Sequence, residues 1–277
     1  MKTSHILFVK LLLASSLLVN GIYGYVLSTK FTSKMFNHRQ VFLVMHYTVS
    51  DFDQSVDILT NKLSTHYLVP EGLHGGERVV YRMVPEEKRA WTQGKSAWGK
   101  RSNLNDQGIS IEIVNRGYTI NLDGTVKWYP FPNTQIDSII ELSREIITRY
   151  DIKPNNVIGH ADCAPVRKED PGPLFPWKRL YDNGIGAWPE ESDVKEFKKR
   201  LSGITLVVKD YVDALIGYGY HFDQKNPVEI KAAVSKFQMH FRNRKFDGVM
   251  DVETFAILKA LLRKYHGKYR KVLIDLD

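Results

Sequence analysis

Cysteine is nearly absent from this sequence: Cys163 is the single thiol among 277 residues. One thiol excludes an intramolecular disulfide and any zinc site built from several cysteines. It does not point to a reducing compartment, because envelope proteins also do without disulfides. Long apolar runs are scarce as well. The one candidate, Ile6 to Val19, is interrupted by Lys10 and is short for a spanning helix. It follows Met1-Lys2 and precedes the small residues Gly21 and Gly24, so residues 1–24 read as a secretory signal or a retained N-terminal anchor. No cysteine follows the stretch, and a lipoprotein anchor is therefore not expected. The expected location is the periplasm or cell envelope. Internal repeats and low-complexity tracts are missing too. Acidic residues are outnumbered, 31 against 39 Lys and Arg, for a net charge of +8. That balance suits an anionic partner such as a cell-wall polymer, a lipid surface or a nucleic acid. The basic residues are spread along the chain and no nucleic-acid motif accompanies them, so no nucleic-acid partner is expected.

What is present is ample core material, 43% hydrophobic, in two regimes. The first alternates strands and helices. Val41-Phe-Leu-Val-Met45 reads as a buried strand that ends in His46. A helix is expected over Asp53 to Ser64, and strands over Tyr67 to Val69 and Val79 to Val84. From Gly108 to Val114 a period of two puts Ile109, Ile111 and Ile113 on one face, with Ser110, Glu112 and Val114 on the other. Ile136, Ile139, Ile140, Ile146, Ile147 and Tyr150 make the apolar stripe of a helix from about Thr134 to Tyr150, and Thr134 with Asp137 resembles a capping box. Val157-Ile-Gly is a further strand, ending at His160. This alternation favours an α/β fold, a central mixed β-sheet flanked by helices, over residues 39–190. After Pro171, Gly172, Pro173, Pro176 and Pro189 the pattern turns helical. Residues 192–270 read as a three-helix domain large enough to fold alone, with helices at Thr205 to Ile216, after Asn226-Pro-Val-Glu229 and after Asp251.

Two histidines delivered by the ends of separate strands can converge. A catalytic zinc needs three protein ligands and one open position. His46 and His160 offer two, and the third is open among Asp162, Cys163, Glu169 and Asp170. Glu112 sits mid-strand among isoleucines, where a carboxylate is costly without a partner. A reacting water is such a partner, with Glu112 as general base. Lys168 lies two residues before Asp170, on the same face of an extended segment, from which a lysine can stabilise an oxyanion. Within Arg-Lys-Glu-Asp, however, composition alone favours a solvated charge.

Taken together and in order, Val-Phe-Leu-Val-Met-His46-Tyr-Thr, Ser-Ile-Glu112-Ile-Val-Asn-Arg-Gly, Gly-His160-Ala-Asp and Arg-Lys168-Glu-Asp170-Pro-Gly-Pro resemble the type 2 N-acetylmuramoyl-L-alanine amidases. That family includes the T7-lysozyme-like amidases and the peptidoglycan recognition proteins. The resemblance spans about Arg39 to Pro189 and is reinforced by Thr-His66-Tyr-Leu-Val-Pro and Pro-Leu-Phe-Pro-Trp177. It implies one zinc ion on His46, His160 and Asp170, with Glu112 serving the attacking water and Lys168 the oxyanion. It also places Trp91, Trp98 and Arg101 along the groove for the stem peptide. Gly-Tyr218-Gly-Tyr, Ala-Val-Ser-Lys-Phe237-Gln-Met-His-Phe-Arg and Asp247-Gly-Val-Met-Asp-Val-Glu-Thr254 resemble a peptidoglycan-binding module. The implied protein is a monomeric zinc hydrolase of peptidoglycan or muropeptides, acting in murein turnover in association with the wall or outer membrane. Its rival is a non-catalytic peptidoglycan receptor on the same fold.

Overall fold

A computed structural model describes Tyr25 and residues 27–267. The expected signal or anchor at residues 1–24 lies outside the described residues. The chain divides into residues 1–37 and 38–277. Residues 27–37 form no helix or strand, and everything below concerns the second part.

In chain order the elements are β1 (Phe42–Tyr47), α1 (Phe52–Asn61), β2 (Tyr67–Val69), β3 (Tyr81–Arg82), β4 (Ala97–Trp98), β5 (Arg101–Ser102), β6 (Gly108–Ile113), β7 (Tyr118–Ile120) and β8 (Val126–Trp128). They continue with α2 (Asn133–Tyr150), β9 (Val157–Gly159), α3 (His160–Cys163), α4 (Trp177–Asp182), α5 (Glu191–Arg200), α6 (Val208–Tyr218), α7 (Pro227–Phe241) and α8 (Val252–Tyr265). Five strands form one mixed sheet in the order β3-β2-β6-β1-β9. β1 runs parallel to β6 and β9, β2 runs parallel to β6, and β3 closes one edge antiparallel. The central strands are buried on both faces, which is why β1 reads as a continuous apolar run.

The sheet's two faces have different covers. Leu43, Met45, Ile109, Ile111 and Ile113 point to the side of α2 and pack with Ile136, Ile139, Ile140 and Ile146. Each such fully buried isoleucine contributes about 1.5–3 kcal/mol relative to exposure. The predicted capping box at the start of α2 does not form. The helix begins at Asn133, one residue early, so Thr134 already lies inside its first turn. Asp137 is drawn to Arg179 instead, at 2.5 Å.

Phe42, Val44 and Ile158 point to the opposite face. There they share one core with Trp98, Leu104 and Cys163, and with Phe197, Leu215, Phe237, Phe255 and Leu258 of the C-terminal helices. The helical region therefore packs its core on the sheet. Among the described residues it also holds four helices where the sequence predicted three. The extra one, α5, buries only Phe197 within a highly charged run. The guanidinium of Arg263 lies 4.0 Å over the Phe197 ring and pairs with Asp193 and Glu196. Two predicted helix starts hold: Asn226 accepts from the Val228 N–H, and Asp251 from the Thr254 N–H. The helix expected over Thr205 to Ile216 runs instead over Val208–Tyr218, passing through Gly217. Among the described residues no helix is long and apolar enough to cross a membrane.

Candidate active site

Two parallel strands and one turn build the site. His46 lies one residue before the end of β1 and sits opposite Glu112 of β6 in register, so both side chains leave the same face of the sheet. β9 ends at Gly159, opposite Met45, and the chain turns at once into α3 with His160 as its first residue. The segment then returns as Arg167-Lys-Glu-Asp170. A backbone bond from the Ala161 N–H to the Asp170 carbonyl, 2.8 Å, ties the two ends of this loop together.

Three donor atoms converge. His46 Nδ1 and His160 Nδ1 are 3.0 Å apart, and each is 3.1 Å from Asp170 Oδ2. All three residues are buried. His160 Nε2 lies 2.9 Å from the Gln93 carbonyl, which accepts its proton and leaves Nδ1 with a lone pair facing the cluster. Arg167 approaches the same Nε2, but its NH2 group donates to the Gln93 and Lys95 carbonyls, so that assignment stands. A lone pair held 3.1 Å from a carboxylate oxygen is repulsive unless a cation lies between them. Two imidazoles and a carboxylate are a common zinc donor set, and donors about 2.0–2.1 Å from a tetrahedral zinc lie roughly 3.3 Å apart. The residues fit a bound metal.

The charges agree with that fit. Burial, then neighbouring His160, lowers the His46 pKa from 6.5 to about 4 against the pull of Asp170, so the ring is in its neutral, ligating form. Burial raises the Asp170 carboxyl, but the neighbouring His160 and His46 outweigh it and hold the group far below its ordinary range. Glu112 behaves in the opposite way. Burial, with Asp170 adding to it and Lys168 opposing, pushes its pKa from 4.5 up to about 8. Its Oε1 is 4.0 Å from His46 Nδ1, and its buried Oε2 has no partner among the described residues. The carboxyl faces a pocket of about 160 Å³ whose lining includes His46, Thr92, His160, Lys168 and Asp170, with α1 supplying one wall through Ile58 and Leu59. Lys168 is partly exposed at this pocket.

The remaining predicted residues separate. Trp91 is 64% exposed and Arg101 is exposed on β5. Trp98 is not a groove residue: it is buried, donates its indole N–H to the Asn155 carbonyl and meets Tyr218 and Tyr220 edge-on. Its ring fills a space against the helical region, where a Cβ on Gly219 would come within 2.6 Å of it. Cys163 lies in the core, where burial raises its thiol pKa, and it takes no part in the cluster. Asp162 turns away from the cluster toward the C-terminal helices. The sequence reading missed Thr92 and Gln93. Both come from an irregular loop, and Gln93 acts through its backbone carbonyl, which no side-chain pattern reports.

Gly159 keeps the two ligand segments close. A Cβ there would stand 2.7 Å from Pro171 Cδ, in the ring that follows Asp170. Gly159→Ala is therefore expected to push Asp170 from His160, costing about 1–3 kcal/mol of stability from overpacking and weakening zinc binding. Urea unfolding and zinc titration check this. A variant equal to wild type in both would show that the segment yields freely.

Comparison with known proteins gives the architecture a context. The N-acetylmuramoyl-L-alanine amidase family matches residues 37–173. The N-acetylmuramoyl-L-alanine amidase AmiD of Escherichia coli is 43% identical over 248 residues, covering 87% of this chain and 89% of AmiD. A solved complex of E. coli AmiD with the substrate anhydro-N-acetylmuramic acid-L-Ala-D-gamma-Glu-L-Lys superposes with a TM-score of 0.82 and 42% identity, over 87% of this chain and 96% of that one. The structure of AMPDH3 from Pseudomonas aeruginosa in complex with anhydromuramic pentapeptide matches with a TM-score of 0.82 and 38% identity, over 88% of this chain and 99% of that one. These similarities run through the C-terminal helices as well as the sheet, and they leave one conclusion: the chain belongs to the N-acetylmuramoyl-L-alanine amidase family.

Proposed function

We propose that this protein is a zinc-dependent N-acetylmuramoyl-L-alanine amidase that hydrolyses the amide between the lactyl group of N-acetylmuramic acid, including its 1,6-anhydro form, and L-alanine of the stem peptide. The observation that carries the reading is the meeting of His46, His160 and Asp170 within 3.1 Å, beside the unpartnered carboxyl of Glu112. Relatives solved with anhydromuramic peptides support the substrate class. A zinc ion on these three residues would polarise the scissile carbonyl and make water a stronger acid. Glu112 takes a proton from the attacking water and passes it to the departing amine of L-alanine. Lys168, at the pocket rim, places its ammonium where the carbonyl oxygen gathers negative charge. Trp91 and Arg101, both exposed, are assigned to the stem peptide, with Arg101 able to meet a carboxylate through a charge-assisted hydrogen bond. The net charge of +8 favours approach to an anionic wall polymer. The apolar stretch in residues 1–24 supports export to the envelope.

The test is digestion of purified peptidoglycan and of anhydro-muropeptides, with and without a strong chelator. Free stem peptides are expected without chelator, their release stopping on chelation and returning with added zinc. Binding to peptidoglycan with no release under any metal condition would instead establish a receptor on this fold.

A further inference from the structure

Four contacts join the segment that carries His160, Lys168 and Asp170 to the C-terminal helices, and none belongs to the chemistry above. At its start, buried Asp162 accepts from the Tyr220 hydroxyl at 2.5 Å and lies 2.8 Å from His240 Nδ1. Asp162 Oδ2 also accepts from the Gly159 N–H at 2.7 Å, so one carboxylate fixes the backbone immediately before His160. The His240 ring is held flat between Trp177, 3.9 Å away, and Phe241, 4.0 Å away. Tyr220 follows α6, is fully buried and is kept protonated by burial and the nearby Asp162 charge, so it stays a donor. Near the segment's end, Lys236 of α7 reaches Glu169 at 2.6 Å, and Asn243 donates to the Pro173 carbonyl at 2.7 Å. These contacts fall at residues 162, 169 and 173, so they hold the segment along its length, and Asp162 reaches back to the Gly159 N–H just before His160. Such outer contacts orient ligands and commonly change metal affinity when removed.

We propose that the C-terminal helices clamp the metal-binding segment in its working geometry, with Tyr220 and His240 as positioning residues that act on His160 through Asp162. The inference rests on the metal reading of His46, His160 and Asp170, and adds a second role to a region whose likeness is to wall-binding modules. Tyr220 and His240 share one target, so their effects are coupled. Removing the Tyr220 hydroxyl leaves Asp162 short of one hydrogen bond in a buried site, and the Gly159–His160 backbone loses part of its anchor. The sheet, α2 and the pocket wall from α1 do not depend on these contacts.

Zinc affinity of the full-length protein, measured by competition with a chromophoric chelator, tests the clamp without using turnover. Tyr220→Phe and His240→Gln are each expected to weaken zinc binding by about ten-fold or more. The double variant should lose less than the product of the two. Arg263→Ala is the control: it breaks the α8 pairs with Asp193 and Glu196, which touch no residue of the segment. It should lower the melting temperature and leave zinc affinity unchanged. Folded Tyr220→Phe and His240→Gln proteins with wild-type affinity would overturn the clamp alone. So would zinc loss in Arg263→Ala equal to theirs at the same melting temperature. Wild-type protein that binds no zinc would overturn the metal reading and the clamp with it.

Discussion

Glu112→Gln is expected to lower kcat by about 10²–10⁴-fold, the range typical of a lost general base, while zinc content stays at the wild-type level. The carboxyl lies beside the three converging donors but is not one of them. Glutamine keeps the shape of the side chain and removes its ability to take a proton, so the metal site should survive. Metal analysis together with hydrolysis rates on muropeptides separates the roles. An active variant would remove Glu112 from the mechanism, and an inactive one without zinc would make it a structural support. The same variant has a second signature in the metal-free protein. The Glu112 pKa is about 8 in the folded chain and 4.5 as its ordinary value. Between these values the folded state holds a proton that the unfolded state releases, so wild-type stability falls as pH rises from 4.5 to 8. Above that window Glu112→Gln should be the more stable protein, by on the order of a few kcal/mol. Below it the two should be alike. Thermal melts across pH in the presence of a chelator read the difference.

Asp170→Asn should have an effect of similar size by a different route, with zinc binding and turnover lost together. Asp170 Oδ2 lies 3.1 Å from each of the two imidazole nitrogens, and among the described residues it brings the carboxylate charge to the cluster. Its replacement leaves two neutral histidines and an amide. The loss of affinity should exceed the roughly 10–100-fold seen when a partner behind a ligand is removed. Excess zinc should restore little activity, because the open position would no longer be held at a fixed place. A zinc-replete, active Asp170→Asn protein would sink the three-residue site.

The parts of this molecule legible from sequence are those governed by short periods. The isoleucines of β6 alternate and face α2, the run before His46 forms the central strand, and Asn226-Pro and Asp251 open helices. Site residues at strand ends follow the same logic, since parallel strands put their termini along one sheet edge. What stayed hidden depends on contacts distant in sequence or on the backbone. Residue spacing left Asp162 and Asp170 as equal candidates. In the structure Asp162 is taken by Tyr220 and His240, 58 and 78 residues away. Trp98, which the family resemblance put along the groove, is covered by helices more than a hundred residues later. The fixed tautomer of His160 rests on a carbonyl, to which every residue type contributes alike.

The core beneath the C-terminal helices bears on any attempt to engineer this protein. Phe42 and Val44 lie on the same strand as His46, four and two residues before it, and face that core. A chain cut after Pro189 would bare them, with Trp98, Leu104 and Ile158, as an apolar patch on an otherwise soluble face. Such a truncation should be recovered from inclusion bodies rather than as a minimal enzyme. Grafting these helices onto another hydrolase should fail for the converse reason, because the recipient lacks the strand face that completes them. Shuffling this scaffold therefore calls for exchange of the sheet and the helices as a single cassette.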